Sequence, residues 1–317
     1  MPKKLIIDTD PGVDDAMAIL FALKSSELDL VGLTTIFGNV YTEQATQNAL
    51  RLVELAGRPD IPVAQGALLP LVVPLSYVAD FVHGVDGLGN TNPAPPHGQA
   101  LDQPAAQFIV EMVMNNPDQI TLVAVGPLTN LALALALEPR LVDHVAEVVI
   151  MGGAATVNGN VTPAAEANIF HDPHAADLVF TAGWPLTMVG LDVTTKTVMS
   201  DAYFTSLKAA GTRTTGFIYE ISRFYLDFFR REVGLEGIHT HDPSAIAYVI
   251  DPTLFTTEPA PVRVMTDGLA QGQTLMDRQQ RWRTPNPWTG QPLTNVCLDV
   301  DSARLLELYH HCVTRPD

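Results

Sequence analysis

Four carboxylates fall in the stretch Asp8-Thr9-Asp10-Pro11-Gly12-Val13-Asp14-Asp15. The apolar run 5–7 before them has strand character, and helical spacing begins at 14, with Pro11-Gly12 as a tight turn between. That turn folds Asp10, Asp14 and Asp15 into one small volume. Helix capping accounts for one or two of them, because a helix N-terminus favours negative charge and offers free N–H groups. It does not account for all of them beside Asp8. Carboxylates so crowded repel one another and take up protons unless a cation compensates. Oxygen ligands with no His or Cys beside them select Ca²⁺ or Mg²⁺ over zinc. Ca²⁺ tolerates irregular cages of about six to eight oxygens, backbone carbonyls and substrate hydroxyls included. Such a cage needs ligands from elsewhere, and His241-Asp242, opening a helix over 243–250, can supply one.

The elements that must position these groups alternate in type. Strand-length apolar runs at 5–7, 30–36, 120–125, 145–151 and 186–191 are interleaved with helical spacing at 14–24, 42–56, 128–137 and 175–182. Thr42 is placed to cap the second helix, and Gly57-Arg58-Pro59 ends it. A long amphipathic helix over 214–231 carries Phe217, Ile221, Phe224, Tyr225 and Phe228 on one side. Strands near 261–266 and 296–300 and a helix from Ser302 follow. The pattern predicts one α/β domain over 1–317, with a mainly parallel central sheet flanked by helices and a helical segment around 200–240 bordering the site. In such sheets ligands bind beyond the carboxyl ends of the strands. Asp8, Asp10, Asp14 and Asp15 follow the first strand, Asn39 the second, and Asn160, Glu166 and Asn168 the 145–151 strand. None of these is Lys or Arg. Pro-rich loops occupy 70–97, 158–163 and 284–292.

Composition narrows the partners. Of 317 residues 47% are hydrophobic and 17% charged, enough for a large core. The formal net charge of −17 argues against a nucleic-acid partner, which needs clustered Lys and Arg. Cys297 and Cys312 form no CxxC pair, so no zinc or redox site is expected. No apolar stretch approaches a membrane span, and Met1-Pro2-Lys3-Lys4 runs straight into a strand, so a cytoplasmic protein is expected. An aspartate-dependent phosphohydrolase would also place Asp-x-Asp after the first strand. It needs a Lys to hold phosphate, for which only Lys196 offers itself, and it leaves Asp14-Asp15 surplus. The other alternative is a calcium-dependent protein that binds a neutral small molecule without catalysis.

The opening motif resembles the signature of the inosine-uridine-preferring nucleoside hydrolases. The likeness continues through Gly38-Asn39-Val40, His83-Gly84, Gly126-Pro127-Leu128-Thr129-Asn130, Met151-Gly152-Gly153, Glu166-Ala167-Asn168 and His241-Asp242-Pro243. It implies a doubly wound α/β fold and hydrolysis of the N-glycosidic bond of ribonucleosides. It further implies Ca²⁺ held by Asp10, Asp15, Asp242 and the Val125 carbonyl, and a homodimer or homotetramer. By the same resemblance Asp14, Asn39 and Asn168 grip the ribose 2′- and 3′-hydroxyls. Asn160 and Glu166 surround the 5′-hydroxyl, and Met151 packs under the sugar.

The chemistry expected is direct displacement by a Ca²⁺-held water with Asp10 as general base, through an oxocarbenium-like transition state. His241, which the resemblance sets beside the base, is the expected acid, with His239 and His83 as second choices. Tyr225 and Phe229 are candidates for stacking on the nucleobase. The Thr194-Thr195-Lys196 run is expected to turn the chain, and Thr129-Asn130 to cap or buttress its helix.

Overall fold

In the computed structural model, which describes residues 2–317, strand β1 (Lys3–Thr9) leads through the Pro-Gly turn into helix α1 (Val13–Lys24). Strand β2 (Leu28–Thr35), helix α2 (Thr42–Leu55) and the short β3 (Val63–Gln65) follow. Next come α3 (Asp80–His83), α4 (Ala105–Asn115), β4 (Ile120–Ala124), α5 (Thr129–Leu137) and β5 (Glu147–Met151). The chain then forms α6 (Ala167–His171), α7 (Pro173–Phe180), β6 (Leu186–Val189) and α8 (Leu191–Thr194). Strand β7 (Val198–Met199), α9 (Asp201–Lys208), α10 (Arg213–Phe228), β8 (Ile238–His239) and α11 (Asp242–Ile250) come next. Last are β9 (Phe255–Ala260), β10 (Val262–Val264), β11 (Thr274–Met276), β12 (Thr294–Val300) and α12 (Ser302–Val313).

The main sheet has eight strands in the order β3-β2-β1-β4-β5-β6-β12-β9, parallel throughout except for β9, which runs antiparallel to β12. Side chains alternate across it. Leu5 and Ile7, Val123 and Val125, Val149 and Met151 enter one core, while Ile6, Leu122, Ala124, Val148 and Ile150 enter the other. Both faces are therefore buried, as parallel strands require. Helix α1 lies on the first face, in contact with α10, α11 and α12, which explains why every residue from Val13 to Ala22 is buried. Helices α4, α5 and α7 contribute to the second core.

From β1 the chain winds outward through β2 to β3, then returns to the other side of β1 with β4. The carboxyl ends of β1 and β4 thus flank a topological switch point, where open α/β sheets bind ligands. The Val125 N–H donates to the Asp8 carbonyl at 2.8 Å, closing the two strand ends together.

Several local expectations are corrected. Thr42 is the first residue of α2 rather than its cap; Tyr41 holds the cap position, and the Thr42 hydroxyl donates to the Ala67 carbonyl at 2.7 Å. The segment near 261–266 is not in the main sheet, since β10 pairs with β11 alone. The edge strand is β9, whose middle residues are exposed or half-buried and include Pro259. An edge strand tolerates proline and few apolar residues, so its periodicity is faint. The 214–231 helix begins at Arg213, and a π-helical turn over Phe229–Val233 continues it. Among the described residues no helix is long and apolar enough to cross a membrane.

Candidate active site

Asp15 is the third residue of α1 and makes the most contacts of the acidic cluster. One of its oxygens accepts the Thr9 hydroxyl at 2.6 Å and the Asp10 N–H at 3.2 Å. The other accepts the Gly12 N–H at 2.9 Å and the Asn39 amide at 2.8 Å. Capping therefore explains its position, and the four donors hold it rigidly. Asp8 accepts the Thr34 hydroxyl at 2.5 Å and the Asn130 amide at 2.8 Å, both at Oδ1, while its Oδ2 is buried without a partner. Thr129 and Asn130 do not cap their own helix, where Leu128 holds the cap position; Asn130 supports Asp8, and the Thr129 hydroxyl donates to Asp172 at 2.8 Å.

Asp10 and Asp14, unlike Asp8, face a cavity. Asp10 Oδ2 accepts the Asn39 N–H at 2.6 Å, but its Oδ1 is buried with no partner. Tyr225 donates to Asp14 Oδ2 at 3.3 Å, and Asp14 Oδ1 is likewise buried without a partner. Backbone glycine walls Asp10 on two sides. A Cβ at Gly38, where φ is 153°, would collide with Asp10 Oδ2, and one at Gly126 would lie 2.7 Å from Oδ1.

Asp242 opens α11 and brings the last carboxylate. Ligand oxygens of Asp14, Asp15 and Asp242 lie within 4.8 Å of one another; Asp10 is outside that group but repels it. Burial, then the charge of Asp15, raises Asp14 to about 7. Burial pushes Asp10 and Asp242 well above the carboxylate range, helped by Asp15 for Asp10 and by Asp14 for Asp242. Burial also lifts Asp8 to about 7, against the hydrogen bonds that lower it. Such a cluster cannot ionise fully alone, and orphaned acceptors at Asp10 and Asp14 have lone pairs to offer. The donor set is all oxygen and fits a hard cation.

The surrounding amides are oriented by backbone. Asn168 donates its amide to the carbonyls of Val125 at 2.8 Å and Met151 at 3.1 Å, leaving its carbonyl oxygen for a ligand. Glu166 accepts the N–H groups of Gly153 and Asn168, each at 2.9 Å, and that of Ile169 at 3.2 Å. Asn160 accepts the Ala167 N–H at 3.0 Å, so Asn160 and Glu166 both secure the start of α6 and keep spare capacity toward the cavity. His83 accepts the Val13 N–H through Nδ1 at 3.2 Å, which places its proton on Nε2. His239 meets Phe229 edge-on and packs against His241 with ring centres 5.7 Å apart. Burial holds His83 and His241 down at about 3, so both rings are neutral near pH 7.

These groups open onto one cavity of about 610 Å³. Asp10, Asp14, Asn39, His83, Val125, Met151, Asn160, Glu166, Asn168, His239, His241 and Asp242 line it, while Asp15 sits fully buried behind them. No Lys or Arg is among the lining residues, so the phosphate-holding group of a phosphohydrolase is missing. Tyr225 and Phe229 border the cavity, joined by Tyr77, Phe81, Phe228 and His171, which sequence reasoning missed. Signals for some existed: Tyr77 and Phe81 lie in the Pro-rich 70–97 loop, and His171 stands one helical turn beyond Asn168. Of the Pro-rich loops, 284–292 takes no part in the lining. The Thr194-Thr195 pair does more than turn the chain. Thr195 lines the cavity, and the Thr194 hydroxyl lies 2.9 Å from Nδ1 of His241.

Residues 5–307 match the sequence profile of the inosine-uridine preferring nucleoside hydrolases. The chain belongs to this family. Uridine nucleosidase 1 of Arabidopsis thaliana is 45% identical to this hydrolase over 315 residues, covering 99% of this chain and 94% of that one. The solved structure of a plant nucleoside hydrolase superimposes with a TM-score of 0.98 at 44% identity, over all of both chains. A purine-preferring ribonucleoside hydrolase from Gardnerella vaginalis gives a TM-score of 0.91 at 36% identity, over 98% of each chain. The enzyme is thus a nucleoside hydrolase with a doubly wound, mainly parallel α/β fold.

Proposed function

We propose that this hydrolase cleaves the N-glycosidic bond of uridine and inosine to ribose and free base, with Ca²⁺ as its cation and Asp10 as general base. The observation that carries the reading is Asp10 itself. Its Oδ1 is buried, unpartnered and flanked by glycine backbone at the edge of a cavity rich in carboxylates. That open lone pair, at the edge of the cavity, is placed to take a proton from water.

Asp10, Asp15 and Asp242, with the Val125 carbonyl, would hold the cation; an irregular oxygen cage that leaves places for water and sugar hydroxyls suits Ca²⁺ better than Mg²⁺, which demands near-octahedral geometry. When bound, the cation supplies a fixed positive charge for the oxygens of the sugar and of water. Asp14, Asn39 and Asn168 would accept or donate hydrogen bonds at the 2′- and 3′-hydroxyls, placing the anomeric carbon opposite Asp10. Asn160 and Glu166 would meet the 5′-hydroxyl, and Met151 the underside of the ring. The carboxylate-rich wall stabilises positive charge that grows on the sugar as the bond breaks. Tyr225, Phe228 and Phe229 would stack on the base, with His241 as its hydrogen-bond partner and His239 and His83 beside it. A homodimer or homotetramer completes this reading and is tested by light scattering.

The central test is release of reducing sugar from uridine and from inosine, with Ca²⁺ saturating and after chelation. Ribose from either nucleoside, lost on chelation and restored by Ca²⁺, supports the reading; no ribose from both under saturating Ca²⁺ overturns it.

A further inference from the structure

Thr194 ends helix α8 with its side chain fully buried. Its hydroxyl oxygen lies 2.9 Å from Nδ1 of His241, the one side-chain hydrogen bond it makes among the described residues. The neighbouring Thr195 behaves as threonines in helices do, donating to the Leu191 carbonyl four residues back at 2.7 Å. Thr194 does not, although the Gly190 carbonyl stands at the corresponding place, where it accepts the N–H groups of Val193 and Thr194 at 3.1 Å. The hydroxyl is instead turned to the imidazole.

Neutral imidazole has one N–H and one bare nitrogen, so the pair can be arranged in two ways. In one, Nδ1–H donates to the hydroxyl oxygen. The Thr194 O–H then has no acceptor in a site closed to water, and His241 turns a bare nitrogen to the cavity. In the other, the hydroxyl donates to a bare Nδ1, every buried group is satisfied, and the ring's proton sits on Nε2. A buried donor without an acceptor is costly, so the second arrangement prevails. His239 packs its ring against His241 with centres 5.7 Å apart, and among the described residues the one hydrogen bond to this nitrogen comes from Thr194.

We propose that Thr194 is a positioning residue that holds His241 in the Nε2–H tautomer and so presents an N–H donor to the departing nucleobase. This rests on the reading of His241 as the partner of the base. The matching chemistry is an in-plane lone pair, such as purine N7 or a pyrimidine carbonyl oxygen. A hydroxyl that fixes the tautomer from behind the ring has the donor in place before bond cleavage begins.

The test uses the Ca²⁺-loaded enzyme labelled with ¹⁵N at histidine. In the wild type and in Thr194→Ser, His241 should show a protonated Nε2 and a bare Nδ1. Thr194→Val, equal in shape but without the hydroxyl, should show a mixture of tautomers. Its kcat for uridine and inosine should fall by about tenfold or more, as expected for loss of a tautomer-fixing contact, with KM little changed. Turnover of 4-nitrophenyl riboside, whose leaving group needs no donor, should stay within about twofold. A wild-type His241 protonated at Nδ1 overturns the proposal, and this spectrum decides even if Thr194→Val does not fold. So does a tautomer unchanged in Thr194→Val. The expected spectra with equal losses on nucleosides and nitrophenyl riboside overturn instead the reading of His241 as the partner of the base.

Discussion

The side-chain amide of Asn130 lies 2.8 Å from Asp8 Oδ1, across 122 positions of sequence, and ties the first turn of α5 to the end of β1. The same amide donates to the Thr35 carbonyl at 3.0 Å, and its oxygen accepts the Ala67 N–H at 2.9 Å. One buried side chain thus joins β1, the end of β2 and the loop after β3 beneath the acidic cluster. Asn130→Ala leaves the Ala67 N–H without its partner and removes one of the two donors to Asp8 Oδ1, the Thr34 hydroxyl remaining. A buried group left unpartnered costs about 1–3 kcal/mol, so the unfolding free energy should fall by about that amount, read as a lower denaturant midpoint at unchanged slope. A loss under about 0.5 kcal/mol would show that water replaces the bonds at little cost.

Gly38 guards the position of Asp10. An added Cβ meets Asp10 Oδ2, on the side where the Asn39 N–H also binds it. Gly38→Ala should therefore lower kcat by about a hundredfold, the scale of a displacement near 1 Å in a reacting group. Steady-state kinetics with saturating Ca²⁺ check this, and a variant within about twofold of the wild type would mean the loop moves aside freely.

The raised carboxylates make a prediction for the metal-free protein. Asp8 and Asp14 bind protons up to about 7 when folded, against 3.8 for an ordinary aspartate. Between those values the folded state holds more protons than the unfolded one, so stability falls as pH rises. Each group contributes a slope of up to about 1.4 kcal/mol per pH unit across the window. The chelated protein should thus be more stable near pH 5 than near pH 7.5. Added Ca²⁺ should raise the midpoint most at the higher pH. Thermal melts at both values, with and without chelator, measure it; a Ca²⁺ effect that is larger at pH 5 contradicts the cluster as described.

His241 lines the cavity in its neutral form, because burial lowers its pKa to about 3. His241→Ala should lower kcat/KM for inosine by about two orders of magnitude or more, the usual reach of a group that assists a leaving atom. For 4-nitrophenyl riboside the loss should be slight. Equal loss on both substrates would remove His241 from the leaving-group side.

Phe228 enters the cavity wall and packs on Phe81 with ring centres 6.1 Å apart, joining α10 to the loop over 70–97. Phe228→Ala should raise KM for nucleosides several-fold with a smaller change in kcat, since stacking serves bound substrate and transition state alike. An unchanged KM would place the base elsewhere in the cavity.

Much of this was legible in the residues alone, for a physical reason. Asp10, Asp14 and Asp15 are joined by one tight turn, so their proximity follows from local geometry and needs no knowledge of distant contacts. The alternation of apolar runs and helical spacing likewise names a parallel sheet, because both of its faces must be buried. Edge strand β9 escaped because an exposed edge leaves little apolar pattern to read. The cavity's aromatic residues Tyr77, Phe81 and Phe228 escaped because facing a cavity and facing a core demand the same side chains.

The opening sequence thus determined that an acidic cluster exists, that it follows a strand, and that its ligands are hard oxygens. Only the tertiary structure decided how its members divide. Thr9, Asn39 and the backbone occupy both oxygens of Asp15, Thr34 and Asn130 share one oxygen of Asp8 while its other is buried away from the cavity lining, and Asp10 and Asp14 bring unpartnered oxygens to the cavity. Asp242 and Val125 reach the same point through the order of strands, which sets the ends of β1 and β4 side by side and brings α11 against α1. A carboxylate's character depends on which lone pairs its neighbours leave open, and those neighbours come from parts of the chain that only folding brings together.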